Sequence, residues 1–408
     1  MINVLKYTVR LLLWAGLLFL RPLGAFAETA YDASPKTVTG SARTVALGGA
    51  VVADPDGYEA VFVNPAGLSG MAGTGFDFGS DGNSVDNFVV DLNDPRARSL
   101  NVPIKYSYYG LRLVYDRWGV GFAAQTPFSF DDEFNGTSRL VRRGRSQTVA
   151  NNDIHKISNT ANTYTAAAAT RLLDGSLAVG LSFDYTRVSE RYEFKPVVSP
   201  SSTAATREQY ADAVSANVGL LWEPRKWVRA GLVYKSGYRA GFASSLNAGV
   251  PNQLAPFRDI KTPDRLTAGL RFAPRDDFRI FLQGRLTHGM AGTTIIGSGL
   301  FPAAPGASVE SGRRDTLEGS WGLEYVVYDV DDLTAKVWGG GYLEDANIQG
   351  GYSRYHRTGG FTFQPWFISL SMAVDDAELY NNFVVGIGVD LLKAATVVSK
   401  HYGWKLPL

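Results

Sequence analysis

The chain has 408 residues, no cysteine, 44 glycines and an aromatic fraction of 12%. Without cysteine there is no disulfide framework, thiol nucleophile, iron–sulfur cluster or Cys-ligated zinc. Forty Lys and Arg against 39 Asp and Glu leave a formal net charge of +1, which gives no electrostatic case for a nucleic-acid partner.

Residues 1–27 read as a secretory signal peptide. Lys6 and Arg10 form a basic n-region, LLLWAGLLFL (11–20) an apolar h-region, and Ala25-Phe26-Ala27 an A-x-A cleavage site. The apolar run is too short to cross about 30 Å of hydrocarbon as a helix. Beyond residue 27 there is no stretch of eighteen or more apolar residues, so the exported chain either stays in water or crosses a membrane with strands.

Residues 28–72 do not alternate. They contain GSARTVALGGAVVADPDGYEAVFVNPAGLSG (40–70), rich in small residues. Ser41 is placed to N-cap a short helix over 42–47 that Gly48 and Gly49 end. Asp56 opens a second helical turn running through Tyr58 to Phe62, and Pro65 keeps Asn64 out of the α region. The expectation is a compact, kinked plug.

From residue 73 onward apolar and polar residues alternate with period two, the signature of half-buried strands. In LAVGLSFDYT (177–186), Leu177, Val179, Leu181, Phe183 and Tyr185 share one face; Ala178, Gly180, Ser182, Asp184 and Thr186 share the other. The pattern predicts strands near 73–80, 105–115, 118–129, 162–173, 176–194, 208–222, 227–239, 263–273, 277–289, 313–328, 333–346, 361–374, 379–391 and 396–406. Short connections (116–117, 174–175, 223–226, 274–277, 329–332, 375–378) alternate with long ones (81–104, 130–161, 195–207, 240–262, 290–312, 347–360), as in outer-membrane barrels with short turns at one end and long loops at the other. Tyr115, Trp118, Trp222, Trp227, Phe272 and Phe278 flank the short turns, where an aromatic girdle would lie. The fold class read from these patterns is all-β: a transmembrane antiparallel β-barrel of about 14 strands (73–408) with an N-terminal hatch (28–72) inside the lumen. A barrel this wide is not filled by wall side chains alone.

The S-A-R-x-x-A-x-G-G-A start (41–50), the Asp-containing helix after it and N-P-A-G-L (64–68) resemble the hatch of FadL-type outer-membrane transporters. The resemblance implies a monomeric barrel in a diderm outer membrane that passively takes up long-chain fatty acids or other hydrophobic compounds, with no cofactor. Its hatch residues would be Asn64, Pro65 and Ala66, with Gly48 and Gly49. It also implies capture among external loops and lateral exit through a gap beside the third strand, where Gly119, Gly121 and Pro127 permit a kink. Two features depart from this picture. The chain ends in Leu408 rather than Phe, and a similar start occurs in PorV-like barrels that serve protein secretion or surface assembly, which is the alternative function.

On the lumen face, Arg112, Arg229, Arg265, Arg271, Arg279, Arg285 and Lys336 outnumber Asp184, Glu324 and Asp390. A carboxylate-bearing amphiphile needs such a cation, since burying its charge unpaired is costly. The competing reading is a salt-bridge ladder that fixes barrel to hatch. Phe281 and Trp338 are candidates to hold an apolar tail. Phe242, Leu246, Leu254, Phe257, Leu300 and Phe301, in long loops, are candidates to capture a greasy ligand. The histidines at 155, 288, 356 and 401 read as loop or strand-end residues, and no H-E-x-x-H or G-x-S-x-G occurs, so neither enzyme chemistry nor a metal site is expected.

Overall fold

The protein is described here from a computed structural model covering residues 30–32, 38–69, 74–84, 88–89, 98–99, 107–135, 139–142, 145–148, 154–195, 205–241, 259–288, 293–294, 315–330, 332–344, 354–377 and 380–402. The signal region 1–27 and the loop residues Phe242, Leu246, Leu254, Phe257, Leu300 and Phe301 lie outside these residues.

Fourteen antiparallel strands close into one barrel. They are β1 (Gly75–Ser84), β2 (Ser107–Tyr115), β3 (Trp118–Asn135), β4 (Ile154–Leu172), β5 (Leu177–Lys195), β6 (Ala205–Arg225) and β7 (Val228–Lys235). After these come β8 (Arg265–Arg275), β9 (Phe278–Thr287), β10 (Thr316–Val330), β11 (Leu333–Glu344), β12 (Arg354–Pro365), β13 (Ile368–Ala377) and β14 (Tyr380–Asp390). β14 pairs with β1 from Gly75 opposite Asp390 to Ser84 opposite Asn381, so no strand edge is left in the ring. Closure matters because an unpaired edge in hydrocarbon would strand its N–H and C=O groups.

The period-two pattern sorts the side chains as expected. Leu181, Phe183 and Tyr185 point outward, while Ser182, Asp184 and Thr186 are buried inside. The outer surface carries Phe122, Leu270, Leu282, Phe361, Leu370, Ile387 and many other exposed apolar groups. A continuous apolar exterior around a polar interior is the arrangement of a membrane-spanning barrel. Among the described residues no helix is long and apolar enough to cross a membrane. Near the short turns Tyr115, Trp118, Trp222, Trp227 and Phe272 are exposed on this surface, and Trp227 meets Phe272 edge-on at 5.6 Å.

The last third departs from the sequence reading. The stretch expected as one strand over 361–374 lies in two strands, β12 and β13, separated by a tight turn at Trp366 and Phe367. The turn was not legible because it uses Trp366 at φ +55°, where Gly, Asn or Asp normally supplies the positive φ. The expected short turn at 375–378 therefore falls at the opposite end, between β13 and β14. The strand expected over 396–406 is replaced by helix α3 (Leu391–Tyr402), so fourteen strands remain although two assignments change. Asp390 ends β14 and starts α3, its carboxylate accepting from the Lys393 N–H at 2.9 Å as an N-cap.

Residues 38–69 lie inside the barrel and are almost wholly buried. Ser41 caps α1 (Ala42–Ala46), accepting from the Thr44 N–H, and Gly48 (φ +61°) and Gly49 (φ +80°) turn the chain away. α2 (Glu59–Phe62) follows, then a 3-10 turn over Pro65–Leu68 capped by Asn64. Upstream, Ala30–Asp32 pairs in parallel with Asp259–Thr262 and Thr293–Thr294 at the long-loop end. The chain thus descends through the barrel before β1 leaves from the short-turn end.

The wall approaches this inner segment at glycines. A Cβ at Gly119, Gly180, Gly219 or Gly231 would collide with the Leu68 carbonyl, Pro65 and Ala66, Asn64, or Val52 and Ala53 respectively; at Gly322 it would stand 2.9 Å from Leu47. Several of the lumen glycines are therefore seats for the inner chain. Gly180→Val and Gly219→Val are expected to lower stability in urea titrations of the micelle-bound protein by about 1–3 kcal/mol or more through overpacking. Gly284→Ala, whose Cβ would meet nothing within 4 Å, is expected to stay within about 0.5 kcal/mol.

Candidate functional site

The centre of the lumen is organised around one buried cation. Arg43, on α1, donates from Nη1 to Glu59 at 3.0 Å, from Nε to Glu324 at 3.1 Å and from Nη2 to Asp54 at 3.3 Å. Its guanidinium also lies 5.5 Å from the centroid of the fully buried Phe281 ring. Burial disfavours the charged form, but Glu324, Glu59 and Asp54 more than offset it and hold the Arg43 pKa well above the ordinary arginine value. Glu59 also accepts from Thr44 Oγ1 at 2.8 Å, from the Ser41 hydroxyl and from the Asp56 N–H. Glu324 accepts in addition from Arg279 at 2.5 Å and from Trp338 Nε1 at 3.0 Å.

Backbone contacts continue the attachment. Asn64, fully buried, donates to the Val52 and Leu220 carbonyls and accepts from the Ala66 N–H. The Val52 N–H donates to Gln283, Tyr58 donates to Gln125 at 2.8 Å, and Thr358 donates to the Ala46 carbonyl at 2.9 Å. Of the residues expected in the hatch, Asn64, Pro65 and Ala66 thus form a capped turn against β5 and β6, and Gly48 lies against the Gly341 backbone of β11.

The seven basic residues have different surroundings. Arg112 pairs with Asp77, Arg229 with Asp54 and Glu223, Arg279 with Glu324, and Arg285 with Glu318 at 2.5 Å. Lys336 lines a cavity and feels the charge of Glu324. Arg271 donates to the Lys226 carbonyl at 3.0 Å while its Nε is buried without a hydrogen-bond partner. Arg265, higher in the lumen, also has a buried Nε without a partner. The basic excess counted from sequence is smaller in three dimensions, because Asp77, Glu318, Glu344 and Asp375 also occupy the inner face. Nearby, Asp184 takes Lys235 at 2.7 Å and Thr165 at 2.7 Å.

His356 lies near the start of β12, a strand end as read from the sequence, but it faces inward. It is fully buried on β12, with Nδ1 2.8 Å from Asp375 and Nε2 3.1 Å from Glu344. Tyr342 stacks on its ring at 4.1 Å, donates to Asp375 at 2.6 Å and accepts from the Val38 N–H at 3.3 Å. The cluster ties the start of the inner segment to β11, β12 and β13. Phe281 and Trp338, expected to hold a ligand tail, pack with α1 in one buried cluster, and Trp338 also lines a cavity.

Two further features bear on passage. A polar cavity of 350 Å³ lies between the inner segment and the wall near the short-turn end, lined among others by Asp56, Asp77, Arg112, Lys336, Ser369 and Lys393. On β3, the pairing with β4 shifts between Gln125 and Phe128, a bulge that contains Pro127. Gly119 and Gly121 are paired on both sides and face Leu68 and Val61, so their missing side chains make room for the inner segment.

Among the residues sequence reasoning missed, Arg43 had a visible signal: a lone arginine inside a run of small and apolar residues, which needs carboxylates if the run is buried. The partners of His356 had none, since Glu344, His356 and Asp375 come from three strands.

Arg43→Met would leave Glu59 and Glu324 without their shared cation. The expected cost is about 3–5 kcal/mol in urea titration, accompanied by a rise in single-channel ion conductance as the inner segment loosens.

No family model and no curated protein matches the chain. Solved structures do. The Pseudomonas putida toluene transporter TodX is 16% identical with a TM-score of 0.53, over 86% of this chain and 98% of that one. The CymD monoaromatic hydrocarbon channel is 15% identical with a TM-score of 0.53, over 87% and 97%. A Pseudomonas aeruginosa FadL homologue is 12% identical with a TM-score of 0.51, over 90% and 100%. The chain therefore has the fold of the TodX- and FadL-type barrels.

Proposed function

We propose that this protein is an outer-membrane channel for passive uptake of hydrophobic or amphipathic small molecules, with long-chain carboxylates among its ligands. The observation that carries the reading is a closed barrel with an apolar exterior whose lumen is obstructed by a tightly seated inner segment, in a fold shared with proteins described as hydrocarbon channels. An obstructed lumen suits selective passage and argues against a general porin. The cavity near the short-turn end is lined by Asp77, Arg112 and Lys336 together with Tyr58, Tyr108 and Trp338, and the break in strand pairing at the β3 bulge supports sideways exit at that level.

The carboxylate part of the reading rests on Arg265. It lies in the upper lumen next to Arg285, whose own carboxylate partner is Glu318. Its buried Nε leaves a donor for an incoming anion. Arg112, Arg229, Arg279 and Arg285 are already paired and serve to hold the wall to the inner segment and to itself. The loop residues Phe242, Leu246, Leu254, Phe257, Leu300 and Phe301 remain the proposed first contacts for an apolar ligand.

Oleate and toluene binding to the detergent-solubilised protein separate the two parts. A hydrogen bond to a charged group contributes about 1.5–3 kcal/mol, so Arg265→Gln is expected to weaken oleate at least about tenfold. Toluene affinity should be unchanged, and Arg112→Gln should alter neither. Unchanged oleate affinity in Arg265→Gln would remove the carboxylate anchor but leave a hydrocarbon channel. Failure of the unmodified protein to bind either compound would remove the uptake reading.

A further inference from the structure

The C-terminal helix α3 has no role in closing the barrel. It begins at the rim, where the Leu391 N–H still donates to the Thr74 carbonyl at 3.2 Å and Asp390 caps the first turn. It packs against β1 and β14. Its spacing places Leu391 and Ala395 on one side and Lys393 on the other, with Leu392 and Thr396, one turn apart, sharing the flank between them, an amphipathic arrangement. Leu391 and Leu392, large apolar groups, are 38% and 47% exposed. Lys393 lines the polar cavity and is, like Thr396 and Val397, also exposed, so the basic group stands at the cavity mouth with Leu391 and Leu392 beside it on the outer surface.

That outward side continues the barrel's apolar belt. Phe383, Val385 and Ile387 are exposed on the outer face of β14, and the alternation leads through Val389 to Leu391 without a break. Trp366, exposed on the neighbouring turn, lies at the same end. A short helix with one apolar and one basic side, of modest overall hydrophobicity, lies in the plane of a lipid interface rather than across it.

We propose that α3 is an interfacial anchor, lying on the phospholipid leaflet at the short-turn end with Leu391 and Leu392 buried among acyl chains. The occupant is lipid, because the exposed face is continuous with the surface that already faces lipid. The inference rests on the reading of the barrel as a membrane span, which a separate probe tests. The helix extends the hydrophobic belt past the last strand and holds Lys393 over the mouth of the cavity.

The chain has no cysteine, so single cysteines can be introduced and labelled cleanly. Leu392→Cys, Lys393→Cys and Leu370→Cys, each carrying an environment-sensitive fluorophore, are reconstituted in phosphatidylethanolamine–phosphatidylglycerol vesicles. Brominated acyl chains then quench from the lipid side and iodide from the water side. Position 370, on the outer face of β13, reports insertion by itself. The expected result is blue-shifted emission and bromolipid quenching at 392 as at 370, with iodide quenching at 393. Iodide quenching at 392 equal to that at 393, with position 370 lipid-quenched, would overturn the anchor and leave the face to a soluble partner. Excimer formation between 392 labels would overturn it in favour of a second copy of the chain. Iodide quenching at 370 would instead count against the membrane reading itself.

Discussion

The constraint on which this structure depends is the contact distance between the inner chain and the barrel wall. A segment with kinks and helix ends carries backbone groups that must find partners once it leaves water. It finds them only if it can come within hydrogen-bonding distance of the strands, and side chains on the wall would hold it off. Glycines at the level of the inner segment remove that obstacle, and the segment reciprocates with Ala42, Ala46, Ala60 and Ala66. Close packing of two backbones then allows Asn64 to donate to the Leu220 carbonyl of β6 and Thr358 of β12 to donate to Ala46.

Electrostatics completes what sterics permits. Arg43 joins carboxylates from α2, from the turn carrying Asp54 and from β10, so one cation connects three separate parts of the chain. A buried ion network of this kind is weak evidence for net stability, because desolvation costs much of the Coulombic gain. Its effect is on placement: separating α1 from α2 would leave Arg43 and Glu59 without each other, whereas Glu324 keeps Arg279 and Asp54 keeps Arg229. The His356 cluster adds a second fixed point nearer the long-loop end, where Tyr342 links Asp375 to the Val38 backbone. Both act near the start of the inner chain, whose far end is held by Asn64 against β6, while a polar cavity lies toward β11–β14.

Legibility followed the range of the interactions. The strand faces, the apolar exterior and the turn aromatics depend on residues two apart in sequence, and they were readable at Leu181, Phe183, Tyr185, Trp118 and Trp227. The caps of the inner segment are equally local, and Ser41, Gly48, Gly49 and Asn64 act as their residue types suggest. Reading failed where a local signal was absent or ambiguous. Trp366 occupies a positive φ that an aromatic residue seldom adopts, so the turn between β12 and β13 gave no warning. Residues 391–402 carry apolar groups compatible with either period, and the Asp390 cap at the barrel's closing strand decides for helix.

By itself the sequence determined the barrel class, the direction each strand face points and the presence of a small-residue segment ahead of β1, because alternation and capping are written in neighbouring residues. Which lumen charges are already paired was decided only in three dimensions. Arg112, Arg229, Arg279 and Arg285 find carboxylates on other strands or on the inner chain, whereas Arg265 keeps a buried donor. The physical reason is that a barrel sets partners by strand register and closure, and these bring together residues 281 positions apart, as in Arg43 and Glu324.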